Sequence, residues 1–244
     1  MDIKREEAFN EVIDKLDELG LLPYVMIMGS WAEYLYSKCL FKNDYTSSLQ
    51  TRDIDILYRN INLPDIKIPI ASKLAEIGFL YKEDIMSGVA KFYKEDILEL
   101  EFLTRTLGSN TDKPTKIEPL NIKSESMRIV NILADYPAEI KYRNHKLIVP
   151  NPSAFVVQKI LTNPTRKPDY KKEKDLDVCE RIMQYIRKDD FYLIDFKTIV
   201  RNLSKKQSNI FYKVLSDNPI KLIDVNEIVE EGIEIENDNY GIEK

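Results

Sequence analysis

Tyr24 to Met28 is a short apolar run that suits a buried strand. Gly29-Ser30 interrupts it, and Trp31 to Leu40 then carries a helical pattern. Arg52 to Tyr58 returns to strand character. Side chains alternate across a strand, so Asp53, Asp55 and Leu57 fall on one face and Ile54 and Ile56 on the other. This order, strand, glycine turn, helix, strand, predicts a mixed sheet with flanking helices.

The flanking sequence fits the same frame. Phe9, Val12, Ile13, Leu16 and Leu19 recur at spacings of three and four, which predicts an amphipathic helix over 4–19 stopped by Gly20. Residues 67–77 read as helix. Val89 to Tyr93 and Ile97 to Leu103 read as a hairpin around Lys94-Glu95-Asp96. The stretch from Gly108 to Pro119 is rich in polar residues and proline, so we place a domain boundary or long surface loop there. It divides a sheet-bearing domain, 1–110, from a mainly helical domain, 111–244.

A small hairpin is expected in the second domain, Ala138 to Tyr142 with Lys146 to Val149, around Arg143-Asn144. Asn151-Pro152 is a good helix start, because asparagine caps and proline tolerates the first turn. That helix should run to about Leu161, a second from Lys171 to Ile186, and others through 190–217. The fold class is α+β.

Composition narrows the chemistry. With 43% hydrophobic residues in a 244-residue chain there is material for a buried core. Cys39 and Cys179 are the only cysteines, which excludes a disulfide framework or a cysteine-rich zinc site. His145 is the only histidine, which excludes a histidine-rich metal site. No Walker or Rossmann glycine fingerprint is present. No apolar leader or membrane-length run is seen, and a soluble cytoplasmic protein is expected. The formal charge is −5, but from Asp224 onward there are eight acidic side chains and one lysine. Without that tail, at −7, the body stands at +2, neither repelling a polyanion nor basic enough to predict tight nucleic-acid binding.

Three features carry chemistry. Asp53 and Asp55 project together from one strand face, and paired carboxylates of this kind suit Mg²⁺. Glu101, in Leu98-Glu99-Leu100-Glu101-Phe102-Leu103, completes a three-carboxylate cluster if its strand lies beside theirs. Glu99 shares its face and competes for the role. Gly29-Ser30 lets the backbone approach a ligand, and the helix behind it offers N–H groups and a favourable dipole to phosphate. Arg52 would point away from Asp53, which favours pairing with a nearby acid. Trp31 and Tyr34 read as core packing.

Taken together, these residues resemble the polymerase-β-type nucleotidyltransferases over roughly residues 20–105. Gly-Ser-Trp-Ala at 29–32, Thr-Arg-Asp-Ile-Asp at 51–55 and Leu-Glu-Phe-Leu-Thr at 100–104 are similar to the bacterial family labelled GSLT. Val149-Pro150-Asn151-Pro152 followed by Phe155, Lys159, Lys174 and Asp175 extends the likeness, also to the AbiEii and MenT toxins.

The resemblance implies transfer of a nucleoside monophosphate from an NTP to an acceptor, with two Mg²⁺ ions held by Asp53, Asp55 and Glu101. It favours Glu101 over Glu99. It also implies that Gly29, Ser30, Lys159, Lys174 and Asp175 bind the nucleotide, with Lys171 and Lys172 open as alternatives to Lys174. The acceptor is left open among tRNA, a protein and a small molecule, and a cognate antitoxin is a possible partner. Two rival readings stand beside it: a non-catalytic nucleotide-sensing or partner-binding protein, and a metal-dependent glycosyltransferase, which also uses Asp-x-Asp but leaves Gly29-Ser30 and Glu101 unexplained.

Overall fold

The structure is a computed structural model that describes residues 3–41, 45, 47, 51–106 and 113–218. The acidic segment after Asp224 and part of the polar stretch at 108–119 lie outside the described residues. The chain divides into two compact units, residues 1–150 and 151–244.

The first unit opens with helix α1, Ile3–Glu18, which buries Ala8, Phe9, Val12, Ile13 and Leu16. Gly20 follows at φ +66°, a left-handed backbone that glycine adopts without a Cβ penalty. Strand β1, Val25–Ile27, runs into α2, Gly29–Cys39, and β2 follows at Asp53–Tyr58. After the short helix α3, Ile70–Ala75, come β3, Leu80–Glu83, β4, Ala90–Lys94, and β5, Leu98–Arg105. Strands β6, Thr115–Ile117, and β7, Ile122–Met127, then precede α4, Asn131–Asp135.

The main sheet runs in the order β1-β2-β5-β4-β3, with β7 joined to β5 and β6 to β7. It is mixed. β2 pairs with β5 in parallel, whereas β1–β2, β3–β4 and β4–β5 are antiparallel. One face is core: Ile54, Ile56, Leu100 and Phe102 are buried there. The hairpin turn is Glu95–Ile97, with Asp96 at φ +57°, one residue later than the turn the sequence suggested. That difference moves the β4–β5 register by two, which decides what stands opposite Glu101.

The boundary at 110/111 differs from the division at 150/151. Beyond residue 112 the chain returns to the sheet as β6 and β7. The alternation there was hard to read because two inward positions are Ser124 and Ser126, both buried. Their hydroxyls are satisfied by one another's neighbours: Thr104 Oγ1 lies 3.0 Å from Ser126 Oγ, and Thr115 Oγ1 lies 2.6 Å from it. Buried polar groups persist when they are paired in this way. The second hairpin, β8, Pro137–Tyr142, and β9, His145–Pro150, turns on Arg143-Asn144 as expected, but it belongs to the first unit.

The second unit is helical among its described residues. Helix α5, Pro152–Thr162, is capped by Asn151, whose side chain accepts from the Ser153 N–H at 2.8 Å. Helices α6, Tyr170–Ile186, α7, Asp190–Arg201, and α8, Lys205–Asp217, bury Val178, Ile182, Phe196, Ile199, Phe211 and Val214. No helix among the described residues is long and apolar enough to cross a membrane. Neither Cys39 nor Cys179 is in a disulfide.

Candidate active site

The site grows from the parallel pairing of β2 with β5. Its register sets Asp53 opposite Glu99 and Asp55 opposite Glu101. In a parallel pair, residues in register share a face, so all four carboxylates project from the solvent side of the sheet. Thr51 donates its hydroxyl to Asp53 Oδ2 at 3.2 Å and accepts the Asp53 N–H at 3.1 Å. Each aspartate therefore has a glutamate beside it, and Asp53 and Asp55 stand two residues apart on their strand.

Glu101 is held from its other side. The β4–β5 register places Lys91 opposite it, and Lys91 Nζ donates to Glu101 Oε1 at 2.5 Å. The hydrogen bond and the charge of Glu101, with Glu99 and Glu125 nearby, push the Lys91 ammonium above its ordinary range. Among the described residues, no group of three Asp, Glu, His or Cys side chains gathers as a metal-holding cluster. The donor set is nevertheless of the hard oxygen type that Mg²⁺ takes, usually through one or two carboxylates together with substrate phosphates.

The β1–α2 turn closes the other edge of the site. The Met28 N–H donates to the Asp55 carbonyl at 2.9 Å, and this ties the turn to β2. Gly29 has φ +62°, and a Cβ there would meet Asp55 Oδ2 at 2.7 Å. Glycine is thus required twice, by its backbone conformation and by the carboxylate against it. Met28 is the N-cap of α2 and supplies no side-chain cap. The first bond down the helix is from the Ala32 N–H to the Met28 carbonyl, so the first-turn N–H groups of Gly29, Ser30 and Trp31 precede it.

Other expected residues fall as follows. Arg52 Nη1 pairs with Asp96 at 3.3 Å and takes the acid-pairing role. Trp31 is fully buried and stacks on Phe9 with ring centroids 4.1 Å apart, and Tyr34 donates to Glu6 at 2.6 Å. Both are core residues of the α1–α2 packing.

In the second unit Lys159 Nζ bonds Asp175 Oδ1 at 2.6 Å, and Arg166 Nε bonds Oδ2 at 2.7 Å. Asp175 is buried and satisfied by two cations, so it ties α5 to α6. Lys174 stands outside that pair, and Lys172 pairs with Asp169 at 2.8 Å. The residue that sequence reasoning missed is Lys91. Its signal was hairpin alternation, but only the position of the turn identifies its cross-strand partner.

A family model described as Nucleotidyltransferase matches residues 7–201. None of the curated proteins matches the chain. Among solved structures, an antigenic nucleotidyltransferase-like protein from Paracoccidioides brasiliensis aligns over 94% of this chain and 98% of its own, at 14% identity and a TM-score of 0.57. At that identity the likeness is one of fold. The antibiotic-resistance factor ANT(2″)-Ia is a more distant match. Its complex with adenylyl-2″-tobramycin aligns over 86% of this chain and 95% of that one, at 10% identity and a TM-score of 0.44.

Proposed function

Because the chain belongs to the nucleotidyltransferase family, matched over residues 7–201, we propose that it moves a nucleoside monophosphate from an NTP to an acceptor hydroxyl, with Mg²⁺ as cofactor. The observation that carries this reading is the β2–β5 register, which lays Asp53 and Asp55 beside Glu99 and Glu101 and next to the open N-terminus of α2. Asp53 and Asp55 would hold the metal, with Glu101, beside Asp55 in register, as the third carboxylate. Bound there, Mg²⁺ would offset phosphate charge and polarise the α-phosphate. Gly29 and Ser30 offer first-turn N–H groups to the triphosphate.

The chemistry balances with these parts. The acceptor hydroxyl passes its proton to a carboxylate, for which Glu101 is our assignment, and its oxygen bonds the α-phosphorus. The bond from that phosphorus to the bridging oxygen of the β-phosphate breaks, and pyrophosphate leaves. A nucleotide-binding role for Lys174 and the Lys159–Asp175 pair of the second unit stays an expectation of the sequence resemblance. The narrower GSLT likeness, with a tRNA acceptor and a neutralising partner protein, stays an expectation of the motifs at 29–32, 51–55 and 100–104. Label transfer from an α-labelled NTP into total tRNA, protein or small molecules tests it.

The deciding experiment is titration calorimetry of each NTP with Mg²⁺, on the wild type and on Asp53→Asn/Asp55→Asn. Mg²⁺-dependent binding that disappears in the double variant supports the site. A folded wild type that binds no NTP would favour the partner-binding reading instead.

A matched glycine pair gives a second check. Gly20 and Gly29 both have positive φ, but only Gly29 has a side chain within reach of an added Cβ. Alanine at either should cost about 1–2 kcal/mol in urea unfolding, from the left-handed backbone alone. Only Gly29→Ala should also weaken Mg²⁺–NTP binding, since it displaces the Asp55 carboxylate. Equal nucleotide affinity in the two variants would remove Gly29 from the site.

A further inference from the structure

The solvent face of the sheet continues past the carboxylates. In the β3–β4 pair, Lys82 stands opposite Lys91 and Leu80 opposite Tyr93. Joined to the β4–β5 and β2–β5 registers, this gives two rows across the sheet. One reads Asp55, Glu101, Lys91, Lys82, and the other Asp53, Glu99, Tyr93, Leu80. The first row passes from anionic to cationic, and the second from anionic to apolar.

Lys82 and Lys91 are like charges directly opposite on antiparallel strands, an arrangement that destabilises a sheet unless something neutralises it. Glu101 neutralises Lys91, whereas Lys82 is exposed and has no acidic partner among the described residues. A cleft of about 420 Å³ opens here, lined among others by Arg52, Lys82, Lys91, Tyr93 and Glu99. Leu80 is 54% exposed and Tyr93 36%, so an apolar surface flanks the cations.

The topology also separates two sides. The turn at Gly29 and the α2 N-terminus lie at the β1–β2 side of the carboxylates, and the lysine pair lies at the β4–β3 side. Strands are about 4.8 Å apart, so Lys82 stands roughly 10 Å from Glu101 across the sheet. An in-line transfer needs the acceptor opposite the departing pyrophosphate.

We propose that the cleft between Lys82, Lys91 and Tyr93 binds the acceptor, and that this acceptor carries a phosphate near its reacting hydroxyl. This rests on the nucleotidyltransfer reading above. Lys82, with Lys91 opposite it, would face the acceptor's phosphate. Tyr93, which lines the cleft, covers the ring that bears the hydroxyl. The reacting oxygen then points along the first row toward Glu101.

The test is calorimetry in Mg²⁺ with two probes, glucose 6-phosphate and a 5′-phosphorylated dinucleotide, each beside its dephosphorylated counterpart. The proteins are the wild type, Lys82→Ala and Lys82→Arg. Lys82 is exposed, so neither change threatens the fold. A charge-assisted contact of this kind corresponds to about tenfold or more in affinity.

The expected result is that at least one phosphorylated probe binds the wild type about tenfold tighter than its counterpart, loses that margin in Lys82→Ala and regains it in Lys82→Arg. Preference for the dinucleotide would identify a nucleic-acid end as the source of the phosphate, and preference for the sugar phosphate a small metabolite. No phosphate preference, no binding of either probe, or binding that Lys82→Ala leaves unchanged would overturn the proposal. Wild-type binding of Mg²⁺–NTP, titrated separately, reports on the donor reading. Its failure beside Lys82-dependent probe binding would leave the cleft standing and remove the transferase assignment.

Discussion

Asp53→Asn/Asp55→Asn is expected to reduce label transfer from an α-labelled NTP by about a thousandfold or more, the scale on which loss of a preorganised electrostatic group acts on a transition state. Asparagine keeps the shape of each side chain and removes the two charges that would hold the metal. The fold should survive, because Asp53 is exposed and Asp55 only half-buried. Stability should hold or rise slightly, since four carboxylates share that face and repel one another without a cation. The readouts are transfer and urea unfolding on one preparation. Near-normal transfer in the double variant would end the metal assignment, and lost transfer with lost folding would call for the single variants.

The second large effect lies in the helical unit. Asp175→Ala should destabilise the protein by about 3–5 kcal/mol, because it leaves the largely buried Lys159 ammonium without its counter-ion. Arg166 is 44% exposed and can turn to water. Replacing both members of the buried pair, as in Lys159→Met/Asp175→Leu, should restore most of the loss, since an apolar pair of similar volume avoids the desolvation of two ions. Urea midpoints measure both. A loss below about 1 kcal/mol in Asp175→Ala would show that the pair contributes little to folding. The double variant also separates two roles. If it is stable yet binds Mg²⁺–NTP poorly, the pair acts on the nucleotide, and if binding is intact its work is to join α5 to α6.

Much of the frame was legible in the chain itself. The glycine between Met28 and Ser30 marked a turn, and the structure gives it φ +62°. Asn151-Pro152 announced α5, and the asparagine does cap it. Helix α1 stops at Gly20 as its periodicity requires. These are local rules, in which residues a few positions apart settle the outcome. The place of residues 115–127 was not legible, because Ser124 and Ser126 occupy inward positions that pattern reading assigns to apolar side chains.

The sequence alone determined which side chains share a face. Period-two alternation put Asp53 with Asp55 and Glu99 with Glu101, whatever their strands paired with. Only the tertiary structure decided that β2 and β5 run parallel in the register that sets Asp55 beside Glu101, and that Lys91 holds Glu101 from the opposite strand. Alternation is the same for parallel and antiparallel partners, and a slip of two residues leaves every side chain on its face. Pairing is settled instead by turns and by packing between residues far apart in the chain, and the order of carboxylates and lysines across this sheet exists only once those are in place.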